Sequence, residues 1–351
     1  MTTSHNKREL TYAEALHEAT FQKMAHDSNV FVYGLGVDDP LGIYGTTKDL
    51  HKQFGKSRCF DTPLSEDAMT GLGIGAALAG MRPIHVHQRM DFLLLCMNQL
   101  VNIAAKSGYM YAGQVRVPFV TRAVVGRSWG QGAQHSQAIH SLFMHIPGLR
   151  VVAPTTPYDA KGALVAAIED DNPVIFMEHR MLCKNKGHVP EELYRTTIGK
   201  SRLLKNGADI TIVAVSHMVV EALRAANHLK ALGINASVID PIWLEPLDTE
   251  AIFENLAKTK RLLVVDHAWL NCGFSAELIC RAVEHFGGGI AAKRVGFAST
   301  PCPTTKCLEL EFYPDSQKIT EMAFQMVAGH QMDAQIEYEE QPEIAEFKGP
   351  F

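Results

Sequence analysis

The chain reads as an α/β protein built from two doubly wound domains. Three observations predict this. Nearly continuous apolar, β-branched runs recur along its 351 residues, as expected of strands buried on both faces of a parallel sheet. Amphipathic stretches of helical length separate those runs, the alternation that builds α/β layers. A chain of 351 residues is also long for one hydrophobic core, so two are expected.

The elements follow in order. A helix is predicted over Tyr12–Ser28, then a strand over Val30–Val37. Next come a Gly/Ala-rich helix over Glu66–Ala79, a strand over Pro83–His87 and a helix over Phe92–Ser107. Strands at Val117–Arg122, Leu149–Ala153 and Val174–Glu178 enclose a helix at Pro157–Asp170. The rhythm fails between Leu182 and Leu204, where Lys184-Asn185-Lys186-Gly187-His188, Pro190 and Gly199 mark a connection. It resumes with strands at Ile210–Val215, Ala236–Asp240 and Arg261–Asp266, and helices at His217–Leu232 and Phe274–Glu284. Asp159 and Asp248 stand near helix starts, where a carboxylate suits the dipole. The expected division is a first domain to residue 184, a linker over 185–204, a second domain over 205–330 and an acidic tail over 331–351. The tail has apolar anchors at Ile336, Tyr338, Phe347 and Phe351, so it reads as solvated or as an arm on a partner subunit.

Composition narrows the function classes. A net charge of −5 offers no nucleic-acid surface. No apolar run approaches the ~18 residues of a membrane span, and the first ten residues lack the apolar core of a signal peptide. Seven scattered cysteines without a CxxC pair suit a reducing cytoplasm and argue against a zinc knuckle.

Two local patterns carry chemistry. Phe60-Asp61-Thr62-Pro63-Leu64-Ser65-Glu66 sets a carboxylate at the mouth of the Gly-rich helix. Taken alone, Glu66 is a first-turn carboxylate favoured by the dipole. Gly71-Leu72-Gly73-Ile74-Gly75-Ala76 fits G-x-G-x-x-A, but no apolar strand leads directly into it, so its small residues read as a close-packing surface. No G-x-x-x-x-G-K-[ST] loop exists. The second pattern is Gly130-Gln131-Gly132-Ala133-Gln134-His135-Ser136-Gln137, a histidine among small and hydrogen-bonding groups, unlike a core histidine.

In this order and spacing the two patterns resemble the β subunit of the thiamine-diphosphate-dependent 2-oxo acid dehydrogenases of the pyruvate and branched-chain type. Asn98-Gln99-Leu100-Val101-Asn102-Ile103-Ala104-Ala105-Lys106, Pro147-Gly148-Leu149-Arg150-Val151-Val152-Ala153-Pro154 and Asp240-Pro241-Ile242-Trp243-Leu244-Glu245-Pro246 extend the likeness. It implies a transketolase-type pyrimidine-binding domain followed by a transketolase C-terminal-like domain. Glu66 is then expected to bond the cofactor's aminopyrimidine, Phe92 to stack on that ring, and His135 to serve substrate and acyl transfer with a pKa suited to proton traffic. Gln134, His267 and Arg89 are expected near the substrate, Arg89 meeting a carboxylate or phosphate. Backbone carbonyls of Phe119, Ala167, Asp170 and Asn172 are expected to hold potassium, as in several relatives.

The family's diphosphate motif, Gly-Asp-Gly, is absent. The resemblance therefore implies that an α subunit holds the diphosphate and Mg2+ in an α2β2 heterotetramer, with a lipoyl acyltransferase as a candidate acceptor. Where common relatives carry an acidic residue before Phe92, this chain has His85-Val86-His87-Gln88-Arg89-Met90, and Trp129 adds bulk before the His135 loop. Two other readings remain open at this point: a split transketolase-like ketol transferase, and a non-catalytic assembly subunit.

Overall fold

A computed structural model describes residues 8–127 and 130–332. Trp129 and the tail from 333 onward lie outside the described residues. The chain resolves into two compact units. Among the described residues, unit 1 comprises 8–125 and 142–198, and unit 2 comprises 126–127, 130–141 and 199–332. The division in space is thus not a single cut in the sequence.

In unit 1 the strands are β1 (Glu9–Thr11), β2 (Val30–Gly34), β3 (Cys59–Phe60), β4 (Arg82–His87), β5 (Val120–Val125), β6 (Arg150–Val152), β7 (Val174–His179) and β8 (Lys186–His188). The helices are α1 (Tyr12–His26), α2 (Leu50–Phe54), α3 (Glu66–Leu78), α4 (Ala105–Met110), α5 (His140–Met144), which begins in unit 2, and α6 (Pro157–Glu169). The main sheet of unit 1 runs β6-β7-β5-β4-β2-β3, all parallel. β2, β5 and β7 are buried along their whole length, and β2 accordingly reads as an apolar run, while β5 and β7 each bury charged residues as well, Arg122 and Glu178.

Local signals set the helix ends. Thr11 and Glu14 close a capping box at the start of α1. Thr156 caps α6 with Pro157 next to it. Lys161 of α6 is fully buried and bonds Glu18 at 2.6 Å and the carbonyls of Pro190 and Glu192 at 2.8 and 2.9 Å. It pins the segment after β8 to the helix pair. The stretch 185–204 reads as a linker in the sequence, and it contains β8, which pairs antiparallel with β1.

Unit 2 contains β9 (Arg202–Lys205), β10 (Ile210–Ala214), β11 (Ala236–Asp240), β12 (Trp243–Glu245), β13 (Arg261–Trp269) and β14 (Ala291–Phe297). Its helices are α7 (Met218–Ala231), α8 (Thr249–Thr259), α9 (Phe274–Phe286), α10 (Lys306–Phe312) and α11 (Ser316–Ala328). The sheet order is β14-β13-β10-β11-β9. Every pair is parallel except β9 with β11, so the sheet is mixed rather than purely parallel. β9 is a short, half-exposed edge strand, where one antiparallel addition is common. β9 and β14 escaped the sequence pattern because both carry polar, exposed positions.

One expected helix changes character. The stretch after β4 is a 3-10 turn at Met90–Cys96 and a π turn at Asn98–Ala104 before α4 begins. Such winding defects gather at functional sites.

The Gly-rich helix does pack closely, at one glycine. A Cβ at Gly73 would overlap the Tyr33 hydroxyl oxygen and lie 2.6 Å from the Phe119 ring, whereas one at Gly75 would meet nothing. Gly73→Ala is therefore expected to destabilise unit 1 by about 1–3 kcal/mol despite the better helix propensity of Ala. Gly75→Ala should be neutral or stabilising. Thermal unfolding of the two variants compares them directly; equal melting would remove this packing role from Gly73.

Candidate active site

Unit 1 presents a notch where β4 ends and α3 begins. Leu35, Glu66, Met69, His85, His87 and Phe92 are among the residues that line it. The position has a structural reason: in open parallel sheets, ligands sit beyond the carboxyl ends of the strands. Glu66 is the first residue of α3, half-buried, in the turn whose N–H groups lack helical partners. Phe92, also half-buried, reaches the same notch from the 3-10 turn. The Tyr33 hydroxyl donates to the Met69 carbonyl at 2.9 Å and ties α3 to β2.

Two histidines complete this wall, and sequence reasoning had passed over them as a mere departure from the family pattern. His85 and His87 occupy alternate positions on β4, so they face the same side of the sheet. That spacing was the available signal. His87 Nε2 lies 3.1 Å from His85 Nδ1, which also meets Thr70 Oγ1 at 3.2 Å. The His85 ring stacks on Tyr33 at 4.4 Å with 7° between planes. Burial drives His87 down to about 3. It also lowers His85 well below the ordinary range, with the neighbouring His87 adding to the effect. Both imidazoles are neutral at physiological pH.

Arg89 is buried at the base of the 3-10 turn, and its carbonyl accepts from the Phe92 N–H at 3.2 Å. This residue, expected to meet substrate, is 3% exposed. Its long cationic side chain is held in the interior.

Unit 2 carries the His135 loop. Gly130 has φ +74°, and a Cβ there would overlap the Thr304 carbonyl oxygen. Gly132 sits against the Thr304 methyl, where a Cβ would come within 2.8 Å. The two glycines therefore let the loop lie on the segment around Thr304. Gln134 is exposed, His135 is half-buried and Ser136 is buried.

Beneath the loop is a buried polar cluster. His140 Nε2 lies 3.1 Å from Asp266 Oδ1, both side chains fully buried. The neighbouring His267 stacks on Tyr313 at 5.5 Å and meets Phe297 edge-on at 4.8 Å. Burial holds His267 well below the ordinary imidazole range and His217 at about 3. The Arg127 guanidinium stands 5.1 Å over Tyr313. His267, expected near the substrate, is thus an interior residue of this cluster and only 1% exposed. His140 and Asp266 escaped sequence reasoning because they lie far apart in the chain.

The loop expected to bind potassium follows α6. Ala167 lies in the last turn of α6, among the carbonyls left without helical partners. The Phe119 carbonyl accepts from the Val174 N–H at 2.9 Å. Arg82 donates to the carbonyls of Ile168 and Asp170 at 2.9 and 3.1 Å. Asn172 bonds the Asp170 carboxylate at 2.7 Å. Among the described residues, no group of three or more His, Cys, Asp or Glu could hold a metal ion. No helix among them is long and apolar enough to cross a membrane.

Comparison with known proteins follows the two units. A family model described as the pyrimidine-binding domain of transketolase matches residues 8–186, and one described as the transketolase C-terminal domain matches residues 199–319. The chain is 38% identical over 334 residues to the acetoin:2,6-dichlorophenolindophenol oxidoreductase subunit beta of Bacillus subtilis (strain 168), covering 91% of this chain and 98% of the relative. It is 42% identical over 270 residues to the pyruvate dehydrogenase E1 component subunit beta of Rickettsia bellii, covering 77% of this chain and 83% of the relative. Among solved structures, a split-gene transketolase described as an inactive beta4 tetramer superposes with a TM-score of 0.73. It covers 91% of this chain and 98% of that one at 20% identity, a likeness of fold.

Proposed function

Because the chain belongs to the transketolase-like family that includes the β subunits of pyruvate dehydrogenase E1 and of acetoin oxidoreductases, we propose that it is the β subunit of a heteromeric thiamine-diphosphate enzyme. The enzyme decarboxylates a 2-oxo acid and passes the acyl or aldehyde unit to an acceptor, a lipoyl group being the candidate.

The notch of unit 1 is the observation that carries this reading. A carboxylate, an aromatic edge, apolar Leu35 and Met69 and two uncharged imidazoles line it. That set suits a flat, nitrogen-bearing ring, and the lining residues include no Lys or Arg of the kind a diphosphate favours. The group fits the residues present. When bound, thiamine diphosphate supplies a carbon nucleophile for the keto carbonyl and a sink for the electron pair left by loss of carbon dioxide.

The chain's own residues have separable tasks. Glu66 holds a proton shared with a ring nitrogen, Phe92 stacks against the ring, and the apolar wall excludes water. Gln134 and His135, on the accessible part of their loop, hydrogen-bond substrate and move a proton at its oxygen. Arg89 and His267, both buried, are the further residues proposed to serve the substrate. Diphosphate and Mg2+ fall to the α subunit, and the loop of Phe119, Ala167, Asp170 and Asn172 is the proposed potassium site.

Tyr109, Met110 and Tyr111 are consecutive and each more than half exposed in this chain, apolar side chains that the α subunit of an α2β2 assembly would cover. The seven cysteines are all unpaired, in keeping with a reducing, cytoplasmic setting.

Titration calorimetry with thiamine diphosphate and Mg2+ tests the reading, first on this chain alone and then on its complex with the co-expressed product of the neighbouring gene. Tight binding by the complex alone is expected. Tight binding by the isolated chain would overturn the division of the cofactor between subunits. Turnover of a ketose phosphate with none of any 2-oxo acid would overturn the reaction.

A further inference from the structure

We propose that His87 is a further ligand-contacting residue of the notch, hydrogen-bonding the nitrogen-bearing edge of the bound pyrimidine ring, with His85 and Thr70 as its positioning residues. The inference rests on the reading above, in which the notch takes the cofactor's aminopyrimidine.

The starting point is where the hydrogen bonds of β4 lead. His87 Nε2 is taken by His85 Nδ1 at 3.1 Å, and His85 Nδ1 is braced by Thr70 at 3.2 Å. Among the described residues, no protein donor or acceptor meets the other ring nitrogen of His87. The side chain is nonetheless 96% buried and lines the notch. That nitrogen is not sealed in the interior: it keeps a small opening, and His87 lines the notch, so an occupant of the notch is the group placed to meet it.

The bracing is built on the same helix as Glu66. Glu66 and Thr70 are four residues apart on α3 and share a face of it. The helix that delivers the carboxylate therefore also fixes the orientation of the dyad. Tyr33, stacked on His85, closes the far side.

The dyad is suited to this neighbour in a way a lysine or arginine is not. Burial keeps both rings uncharged, His87 with its value at about 3. A fixed cation beside Glu66 would favour its carboxylate and hinder sharing of a proton with the ring. A neutral imidazole gives a directed hydrogen bond without that bias. One proton shared between the facing nitrogens of His85 and His87 lets the outward nitrogen of His87 act as donor or acceptor according to tautomer.

The test measures binding to the α/β complex by calorimetry, with thiamine diphosphate plus Mg2+ and with inorganic diphosphate plus Mg2+ as probes. His87→Phe keeps a planar ring but no hydrogen bond; His87→Asn keeps a polar group near the first ring nitrogen. His87→Phe is expected to weaken thiamine diphosphate by roughly 10-fold or more, and His87→Asn by under about threefold. Inorganic diphosphate, which lacks the ring, should bind all three proteins alike. Should the Phe variant not assemble, His87→Leu takes its place in the same comparison. Unchanged affinity in the Phe or Leu variant would overturn the inference and leave the cofactor reading intact. Equal losses in the apolar and Asn variants would also overturn it, since a hydrogen bond would then not be what was removed. A wild-type complex that binds inorganic diphosphate but not thiamine diphosphate would overturn the cofactor reading and this inference together.

Discussion

Glu66→Gln is expected to lower turnover of the α/β complex by a factor of at least 10² to 10⁴, the usual range for losing a positioned acid–base group. The substitution is nearly isosteric. It keeps a hydrogen-bonding side chain at the first position of α3 and in the notch. What it removes is the ability to take up and return a proton. The structural cost is small, because a carboxylate in the first helical turn contributes only about 0.3–1 kcal/mol through the dipole. Melting temperature and far-ultraviolet circular dichroism should stay near the wild type while turnover is lost. A Gln variant that retains turnover within a few-fold would remove Glu66 from the chemistry and return it to a helix-start carboxylate.

The largest stability effect is expected in the sheet of unit 1. Arg122 of β5 and Glu178 of β7 form a forked ion pair, Nε to Oε1 and Nη2 to Oε2, the second bond at 2.9 Å. The Arg122 side chain is fully buried and that of Glu178 is 5% exposed. Glu178→Ala leaves a guanidinium in the interior without its counter-charge. It is expected to cost about 3–5 kcal/mol, because the uncompensated charge and not the lost attraction dominates. Replacing both partners by apolar residues, Arg122→Met with Glu178→Leu, should recover most of that loss. Thermal or urea unfolding of the single and double variants provides the measurement. A Glu178→Ala chain as stable as the wild type would mean that water reaches Arg122 and that the pair is not sealed.

Much of this fold could be read from local pattern. β2 and the first four residues of β7 are continuous apolar runs because both faces are covered. α1 and α6 announce themselves through Thr11-x-x-Glu14 and Thr156-Pro157. The stretch Phe92–Ser107 shows the limit. It contains neither Gly nor Pro, and its composition suits one α-helix. Yet it winds as 3-10, then π, then α. The difference lies in what it packs on, which a local pattern does not contain.

The candidate site divides in the same way. Glu66 and Phe92 were expected at a cofactor from their motif, and they line one notch. His85 and His87 were in view as a departure, but nothing local told that Thr70 would brace them or that burial would strip them of charge. Arg89 and His267 were expected near the substrate from the family pattern and its departures; that both are buried was not legible in the sequence.

The sequence by itself determined the alternation of strands and helices, the α/β class and the helix that starts at Glu66, because periodicity, capping and turn chemistry act between residues a few positions apart. Only the tertiary structure decided that residues 126–141 belong with unit 2, that His140 meets Asp266, and that β9 runs antiparallel. It alone decided that His87 is a neutral, inward-held imidazole. Each of these depends on desolvation or pairing by residues distant in the chain, and those partners exist only once the chain has folded.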